Sequence, residues 1–190
     1  MYDGSDTIVL YEELAYQDVL PVAWRPLPDT LDADLSAAFG DANVRVLQAC
    51  AAIEEHGHIE KQDENAPHAA DLLRMDLKLS VLLDLVGRIL AGNQPRPPAT
   101  MIRFNALGAT WRSSAALPKP GAQGTLEIYL RECLPDPLRL IGRVTNVTAE
   151  GEIKARFLPP GEATADLLEK LSFRRHRRQI AGTRQPRRGQ

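Results

Sequence analysis

Cysteine, aromatic residues and long apolar runs are all scarce in this chain of 190 residues. Its two cysteines, Cys50 and Cys133, lie far apart and neither belongs to a CxxC pair, which argues against a disulfide framework and favours two buried thiols. No apolar run approaches the roughly 20 residues that a membrane helix needs. The opening residues MYDGSDT are polar and acidic, unlike a secretory leader. We therefore expect a soluble, cytoplasmic protein without a membrane partner.

The motifs of nucleotide-dependent and hydrolytic enzymes are missing as well. The sequence contains neither a GxGxxG nor a GxxxxGK pattern, and none of its serines lies in a nucleophile elbow. The cluster of His56, His58 and Glu60, with His68 beyond it, offers donor atoms for a metal, but its spacing is not that of a zinc site. We interpret it as part of a solvated linker. The sequence thus predicts a non-enzymatic protein without a metal or a resident cofactor.

The charge is unevenly distributed, although the net charge is only −2. Residues 1–65 hold 14 acidic and 3 basic side chains, whereas residues 171–190 hold seven arginines and no acid. Such a chain can neutralise itself across a subunit contact or present its basic end to an acidic partner. The clusters FRRHRR and TRQPRR are dense enough to bind phosphate groups but lack interleaved aromatic residues for base stacking. Nucleic-acid binding through the basic tail is therefore the less favoured alternative.

The order of periodic segments predicts an α+β fold. Apolar residues three and four apart favour helices at 31–55 and 67–91, and a third helix closes the chain with Leu167, Leu168 and Leu171 on its inner face. The predicted strands cover residues 7–11, 19–25, 100–105, 108–114, 124–132, 137–147 and 151–158. Pro21 is expected to confine its strand to an edge or a bulge. This layout indicates one β domain into which a helical pair is inserted.

The helix predicted at 67–91 carries the most regular pattern in the sequence. Its heptad a positions are Leu72, Leu79 and Val86, and its d positions are Met75, Leu82 and Ile89. Further large apolar residues lie outside this seam, namely Leu77, Val81, Leu83, Leu85 and Leu90. Burying five or six such side chains contributes about 1.5–3 kcal/mol each, which is enough to drive assembly. We expect an intermolecular four-helix bundle, because the apolar stripe is wider than the seam. The alternative is that residues 31–55 and the β domain cover these faces within one chain.

Four stretches of the sequence resemble the PilZ domain family: RFNALGATW, GTLEIYL, LRLIGRVTNV and GEIKARFLPPGEATADLLEKLSFRRHRR. With the opening AYQDVLPVAWRPL and the inserted helices, they are similar to the atypical, tetrameric PilZ group of xanthomonad-type bacteria. The resemblance implies a six-stranded antiparallel β-barrel with an inserted long helical pair and a C-terminal helix, in a homotetramer assembled through residues 67–91. It implies a single domain over 1–190, divided into N-terminal strands (1–30), inserted helices (31–92), barrel and C-terminal helix (99–181) and basic tail (182–190).

PilZ domains generally bind the second messenger cyclic di-GMP, so the resemblance directs attention to two motifs. The family's Asp/Asn-x-Ser-x-x-Gly motif aligns with Arg103, Asn105 and Gly108, of which only the glycine matches. The family's Arg-x-x-x-Arg loop ahead of the barrel has only Arg25 near the corresponding place. We expect Gly108 to form a β-bulge that is kept for backbone geometry.

The resemblance implies a regulatory protein that acts on an unidentified signalling protein, in a cyclic di-GMP-linked pathway affecting motility or virulence. Because the motifs are altered, we expect no binding of cyclic di-GMP in the usual way. The alternative is a genuine receptor with a rearranged site, formed by Asn105 together with the C-terminal arginines Arg174, Arg175, Arg177 and Arg178.

Overall fold

The computed structural model describes residues 15–27, 33–56, 69–92, 95–113 and 117–183. Within these ranges, it does not describe the side chains of residues 33–36, 55–56, 69, 91 and 178–183. The strands are β1 (Tyr16–Pro26), β2 (Ala99–Phe104), β3 (Gly108–Arg112), β4 (Gln123–Ile128), β5 (Leu138–Val147) and β6 (Glu152–Phe157). The helices are α1 (Ala33–His56), α2 (Ala69–Gly92) and α3 (Glu162–Thr183). The strand predicted at 7–11 lies outside the described residues, as does the histidine-rich linker.

The six strands close into an antiparallel barrel in the order β1-β2-β3-β6-β5-β4. β1 closes the barrel by pairing with β2 from Tyr16 to Pro21 and then with β4 from Val22 to Pro26. The expectation for Pro21 was wrong, because a closed barrel has no edge and the proline lies where β1 changes partner. Its carbonyl still accepts a hydrogen bond from the Tyr129 N–H, at 3.1 Å. The predicted barrel with an inserted helical pair and a C-terminal helix is confirmed.

Strand β4 ends at Ile128, four residues earlier than predicted. Ile128 is the last residue of β4 in the register with both neighbours, opposite Val22 of β1 and Leu138 of β5, and from Pro21 toward its start β1 pairs with β2 instead. The apolar residues that follow leave the sheet and enter the β4–β5 loop (residues 129–137), where Leu130 is buried. The predicted strand boundary followed hydrophobicity, whereas the observed boundary follows pairing.

The core lies inside the barrel, built by alternate residues of each strand. The fully buried side chains of β2, β4, β5 and β6 include Ile102, Phe104, Leu126, Ile128, Leu138 and Ile153. Tyr16 packs against Phe104 with ring centroids 5.2 Å apart. Trp24 stacks on Trp111 with centroids 5.8 Å apart. Because the inward positions are apolar, the polar and charged residues of the strands are left on the outer faces.

Helices α1 and α3 pack against each other and against the barrel. α1 buries Val46, Leu47 and Cys50, and α3 buries Leu168 and Leu171. The inner face predicted for the C-terminal helix is therefore confirmed at Leu168 and Leu171. The two helices extend the barrel core sideways and leave α2 outside it.

Helix α2 exposes its apolar residues in every direction but one. Twelve large apolar side chains on its 24 residues are between 46% and 67% exposed: Leu72, Leu73, Met75, Leu77, Leu79, Val81, Leu82, Leu83, Leu85, Val86, Ile89 and Leu90. The alternative, in which residues 31–55 and the β domain cover these faces within one chain, is wrong, because neither α1 nor the barrel covers these side chains. None of the described helices has an apolar stretch long enough to cross a bilayer.

Candidate functional site

The segment that aligns with the family's strand motif forms the turn between β2 and β3. Asn105 shapes this turn: its side-chain Oδ1 accepts hydrogen bonds from the backbone N–H groups of Leu107 (2.9 Å) and Gly108 (3.1 Å). The backbone N–H of Asn105 donates a hydrogen bond to the Gly108 carbonyl at 3.0 Å. Asn105 is 5% exposed. The asparagine thus closes a local turn, as Asn side chains commonly do, and its oxygen is already used there.

Gly108 is needed for a close approach between strands. A Cβ atom at this position would lie 2.6 Å from the backbone carbonyl oxygen of Ala155 in β6. The β3–β6 register runs without a shift from Gly108 to Arg112, and the irregularity in the barrel lies between Val144 and Asn146 of β5. The expectation of a bulge at Gly108 was therefore wrong. Position 108 requires a glycine because any side chain there would overlap the backbone of the neighbouring strand β6.

Five basic residues lie on the outer face of the barrel next to this turn, and we call them the basic face: Arg103, Arg112, Arg143, Lys154 and Arg156. Arg103 of β2 pairs with Thr110 of β3, which in turn pairs with Lys154 of β6. Arg103 and Lys154 therefore lie in one row across these three strands. Arg143 lies directly opposite Arg156 on β5 and β6, and Arg156 lies opposite Gly108.

The basic face carries an excess of positive charge. Arg112, Arg143 and Arg156 are exposed, while Arg103 and Lys154 are half-buried. The acid paired with this face in the register is Glu152, opposite Arg112. Arg143 and Arg156 lie opposite each other on neighbouring strands, where two like charges raise the local positive potential. Sequence reasoning missed this group, although each base occupies an alternate, outward position of its strand.

The C-terminal arginines predicted as a rearranged site have structural contacts of their own. The Arg175 guanidinium forms an ion pair with Asp18 of β1 and lies over the Tyr16 ring, 4.9 Å from its centroid. Arg177 lies over Phe173 on the same helix, 5.8 Å from the ring centroid. The side chain of Arg178 lies outside the part of the chain that the structure describes. The contacts found for Arg175 attach α3 to β1, whereas those of Asn105 and Gly108 belong to the β2–β3 turn.

A buried polar network lies between α1, β1 and the β4–β5 loop. The Glu54 side chain is almost completely buried and forms an ion pair with Arg131. Burial is the main cause that raises the pKa of Cys50, and burial raises the pKa of Tyr16 to about 12. Cys50 and Cys133 are both free thiols, which agrees with the sequence prediction, but Cys133 is only partly buried. This network fastens α1 to the barrel.

The heptad seam of α2 points away from the rest of the chain. The half-buried or buried residues of this helix are Asp76, Ser80, Asp84 and Gly87, which share one face. At 3.6 residues per turn, the middle of this face is roughly 120° around the helix from the middle of the seam. A polar face is therefore turned toward the chain and an apolar face toward solvent, the reverse of an ordinary surface helix.

Two sequence predictions fall outside the described residues. The candidate metal cluster includes His56, whose side chain is not described, and His58, Glu60 and His68, which are not described at all. The tail that carried the nucleic-acid alternative begins at the end of α3, where side chains are not described, and continues through residues 184–190. Both stay predictions from the sequence.

Comparison with known proteins agrees with this architecture. No curated protein matches the chain. A solved structure matches it over 93% of this chain and 96% of the other, with 25% sequence identity and a TM-score of 0.70. That structure is of a pathogenic protein from Xanthomonas campestris, a tetrameric PilZ domain self-assembled through a helical bundle. Residues 47–185, which include α2, the barrel strands β2–β6 and α3, match the family model of the atypical PilZ domain, cyclic di-GMP receptor. The chain therefore belongs to the atypical PilZ domain family.

Proposed function

We propose that this chain is a non-enzymatic regulatory protein of cyclic di-GMP signalling that assembles into a homotetramer through α2. The observation that carries the proposal is the set of twelve large apolar side chains on α2, each roughly half exposed in the single chain. Completing the burial of the six seam residues and of the apolar residues that flank the seam contributes about 1 kcal/mol each, or on the order of 10 kcal/mol per chain. A monomer that left this surface in water would be prone to aggregation.

A four-helix arrangement suits α2 better than a two-helix arrangement. The seam of a two-stranded coiled coil uses the a and d positions, but Leu83, Leu85 and Leu90 flank it on both sides and are equally exposed. A wider apolar surface requires neighbours on more than one side. The tetramer of the related Xanthomonas campestris protein, formed through a helical bundle, supports the same assembly here.

The proposed role is an interaction module of the bacterial cytoplasm that acts on another signalling protein, with effects on motility or virulence. Its family membership supports the link to cyclic di-GMP, and the description of the related protein as pathogenic supports the link to virulence. In this role the barrel offers its outer faces to partners, while α2 sets the number of barrels in one assembly.

Binding of cyclic di-GMP through the usual strand motif is not part of the proposal. Arg103 stands where the family motif has Asp or Asn, and Asn105 stands where it has Ser. Both hydrogen bonds accepted by the Asn105 oxygen come from its own turn. A nucleotide would have to break these bonds before it could use that atom, at a cost that the altered motif does not offset.

The basic face favours a second candidate function, binding of cyclic di-GMP at a different set of residues. Guanidinium groups recognise phosphates through paired N–H donors, and Arg143 and Arg156 lie side by side on this face. Arg103 is adjacent to the β2–β3 turn. This arrangement differs from the C-terminal cluster of the sequence prediction, because its cationic groups come from four neighbouring strands.

One experiment tests both functions. Light scattering at micromolar concentration measures the mass of the assembly, with and without cyclic di-GMP, and calorimetry on the same sample measures nucleotide binding. A mass near four times the 21.0 kDa of the chain is expected; a compact monomer would refute the assembly. If heat is released, Arg156→Ala and Arg174→Ala form a matched pair. Loss of heat only in Arg156→Ala supports the basic face, and loss only in Arg174→Ala supports the C-terminal arginines.

A further inference from the structure

Helix α2 has one buried residue, Gly87, among those whose side chains the structure describes. A Cβ atom on Gly87 would lie 2.1 Å from the backbone carbonyl oxygen of Cys133 and 2.8 Å from the Cβ of Cys133. The helix backbone therefore touches the β4–β5 loop directly. A glycine inside a helix costs about 1 kcal/mol relative to alanine, so its presence in the middle of an otherwise apolar helix requires a reason. The close approach to Cys133 supplies one.

The part of the loop that receives Gly87 is held rigidly from the side of the barrel. Arg96, in the connection between α2 and β2, donates hydrogen bonds to the carbonyls of Arg131 (3.2 Å) and Leu134 (2.7 Å). The same guanidinium lies over the Tyr129 ring, 5.2 Å from its centroid. These contacts enclose Cys133 on both sides along the chain. The loop thus has fixed backbone positions into which a helix can be seated.

The same loop is also fastened to α1. Arg131 forms an ion pair with Glu54 of α1, whose side chain is 1% exposed, so the ion pair links the loop to α1 away from solvent. The Leu134 N–H donates to the Arg131 carbonyl at 3.3 Å and closes a turn around Cys133. Both inserted helices therefore contact the same segment, from Tyr129 to Leu134, although α1 is also hydrogen-bonded to β5 through Asn43 and Arg139.

We propose that this segment is a socket that sets the rotation and direction of α2, and that Gly87 is the residue that allows the helix to enter it. The proposal rests on assembly through α2. Gly87 lies roughly 110° around the helix from the middle of the seam. Seating Gly87 in the socket consequently turns the polar face, with Asp76, Ser80 and Asp84, toward the chain. The seam is then presented to other copies of the chain, and each barrel is held at a fixed angle to the bundle.

The contact can be measured without reference to assembly, through the thiol of Cys133. In a chain carrying Leu82→Asp to weaken the seam, a thiol reagent is expected to label Cys133 slowly, because α2 covers it. Adding Gly87→Ala forces the helix away from the Cys133 carbonyl, and the labelling rate of Cys133 should rise by about tenfold or more as the site opens. Cys50, which is completely buried, serves as the internal reference.

The matched control is Gly92→Ala, on the same helix. A Cβ atom on Gly92 meets nothing within 4 Å, and Gly92 is the last residue of the helix, so the change adds the same methyl group to α2 without touching the loop. Gly92→Ala should leave the labelling rate unchanged. Equal rates in the two variants would overturn the socket. If Gly87→Ala fails to fold, Arg96→Ala gives a second test, because it removes the hydrogen bonds that fix the loop; an unchanged rate in that variant would also overturn the proposal.

The effect of Gly87→Ala on the assembly is measured separately, in chains that keep Leu82 and therefore an intact seam. Gly87→Ala should still assemble, since no seam residue changes, but small-angle scattering should report a larger radius of gyration than that of the wild type and of Gly92→Ala. An unchanged scattering profile in Gly87→Ala would overturn the proposal that the socket sets the barrel angle. A wild-type chain that is monomeric would refute assembly instead, while the labelling experiment would still report on the contact.

Discussion

Replacing Leu82 by aspartate tests the assembly at the centre of the seam. Leu82 is 57% exposed in the single chain, so about half of its side chain remains to be buried by other copies. The lost burial is worth about 1 kcal/mol per chain, or on the order of 4 kcal/mol for four chains. Each carboxylate introduced into the apolar seam costs several kcal/mol more unless it takes up a proton. Since 1.4 kcal/mol is a factor of ten in an equilibrium constant, the assembly should not survive at micromolar concentration.

Light scattering after size exclusion is the assay. The wild type should show a mass near four times 21.0 kDa, and Leu82→Asp a mass near 21.0 kDa. The near-ultraviolet circular dichroism of Trp24 and Trp111, which stack inside the barrel, should be unchanged and would show that the barrel remains folded. A monomer with an altered tryptophan signal would indicate unfolding rather than disassembly.

A matched control distinguishes the seam from general apolar attraction. Leu77 is 64% exposed and lies on the side of α2 opposite the seam. Leu77→Asp introduces the same charge with the same loss of apolar surface. It should weaken assembly far less than Leu82→Asp. If Leu77→Asp dissociates the assembly and Leu82→Asp does not, the heptad register assigned to α2 is wrong.

Two further predictions concern the barrel. The pKa of Tyr16 is raised to about 12 by burial, so the unfolded chain loses this proton first, and the free energy of unfolding should fall between pH 10 and 12 by up to about 2.7 kcal/mol. Urea titrations at pH 9 and pH 11.5 measure this decrease in the free energy of unfolding, which should be smaller in Tyr16→Phe. An equal decrease in Tyr16→Phe would show that other groups cause it. Gly108→Ala places a Cβ against a strand carbonyl at 2.6 Å and should lower the free energy of unfolding by about 1–3 kcal/mol. Gly40→Ala, inside α1, where the added Cβ meets nothing within 4 Å, should not lower the free energy of unfolding.

The features that depend on local periodicity could be predicted from the order of the amino acids. Apolar residues at a and d positions require a helix with an apolar seam wherever that helix lies, so α2 and its surface could be read directly. The same holds for the inner face of α3 at Leu168 and Leu171. The closure of the barrel was predicted from the resemblance to the PilZ family, because alternation of apolar and polar residues predicts strands but not which strand pairs with which.

The features that depend on contacts between distant residues could not be predicted before the fold was known. The basic face joins Arg103 to Arg156 across 53 positions of sequence, and it exists only because β3 pairs with β2 on one side and β6 on the other. Gly87 shows the same limit, since nothing in its heptad position reveals that a loop carbonyl approaches it. Periodicity is a property of neighbouring residues along the chain, whereas register and close approach are set by the closed barrel as a whole.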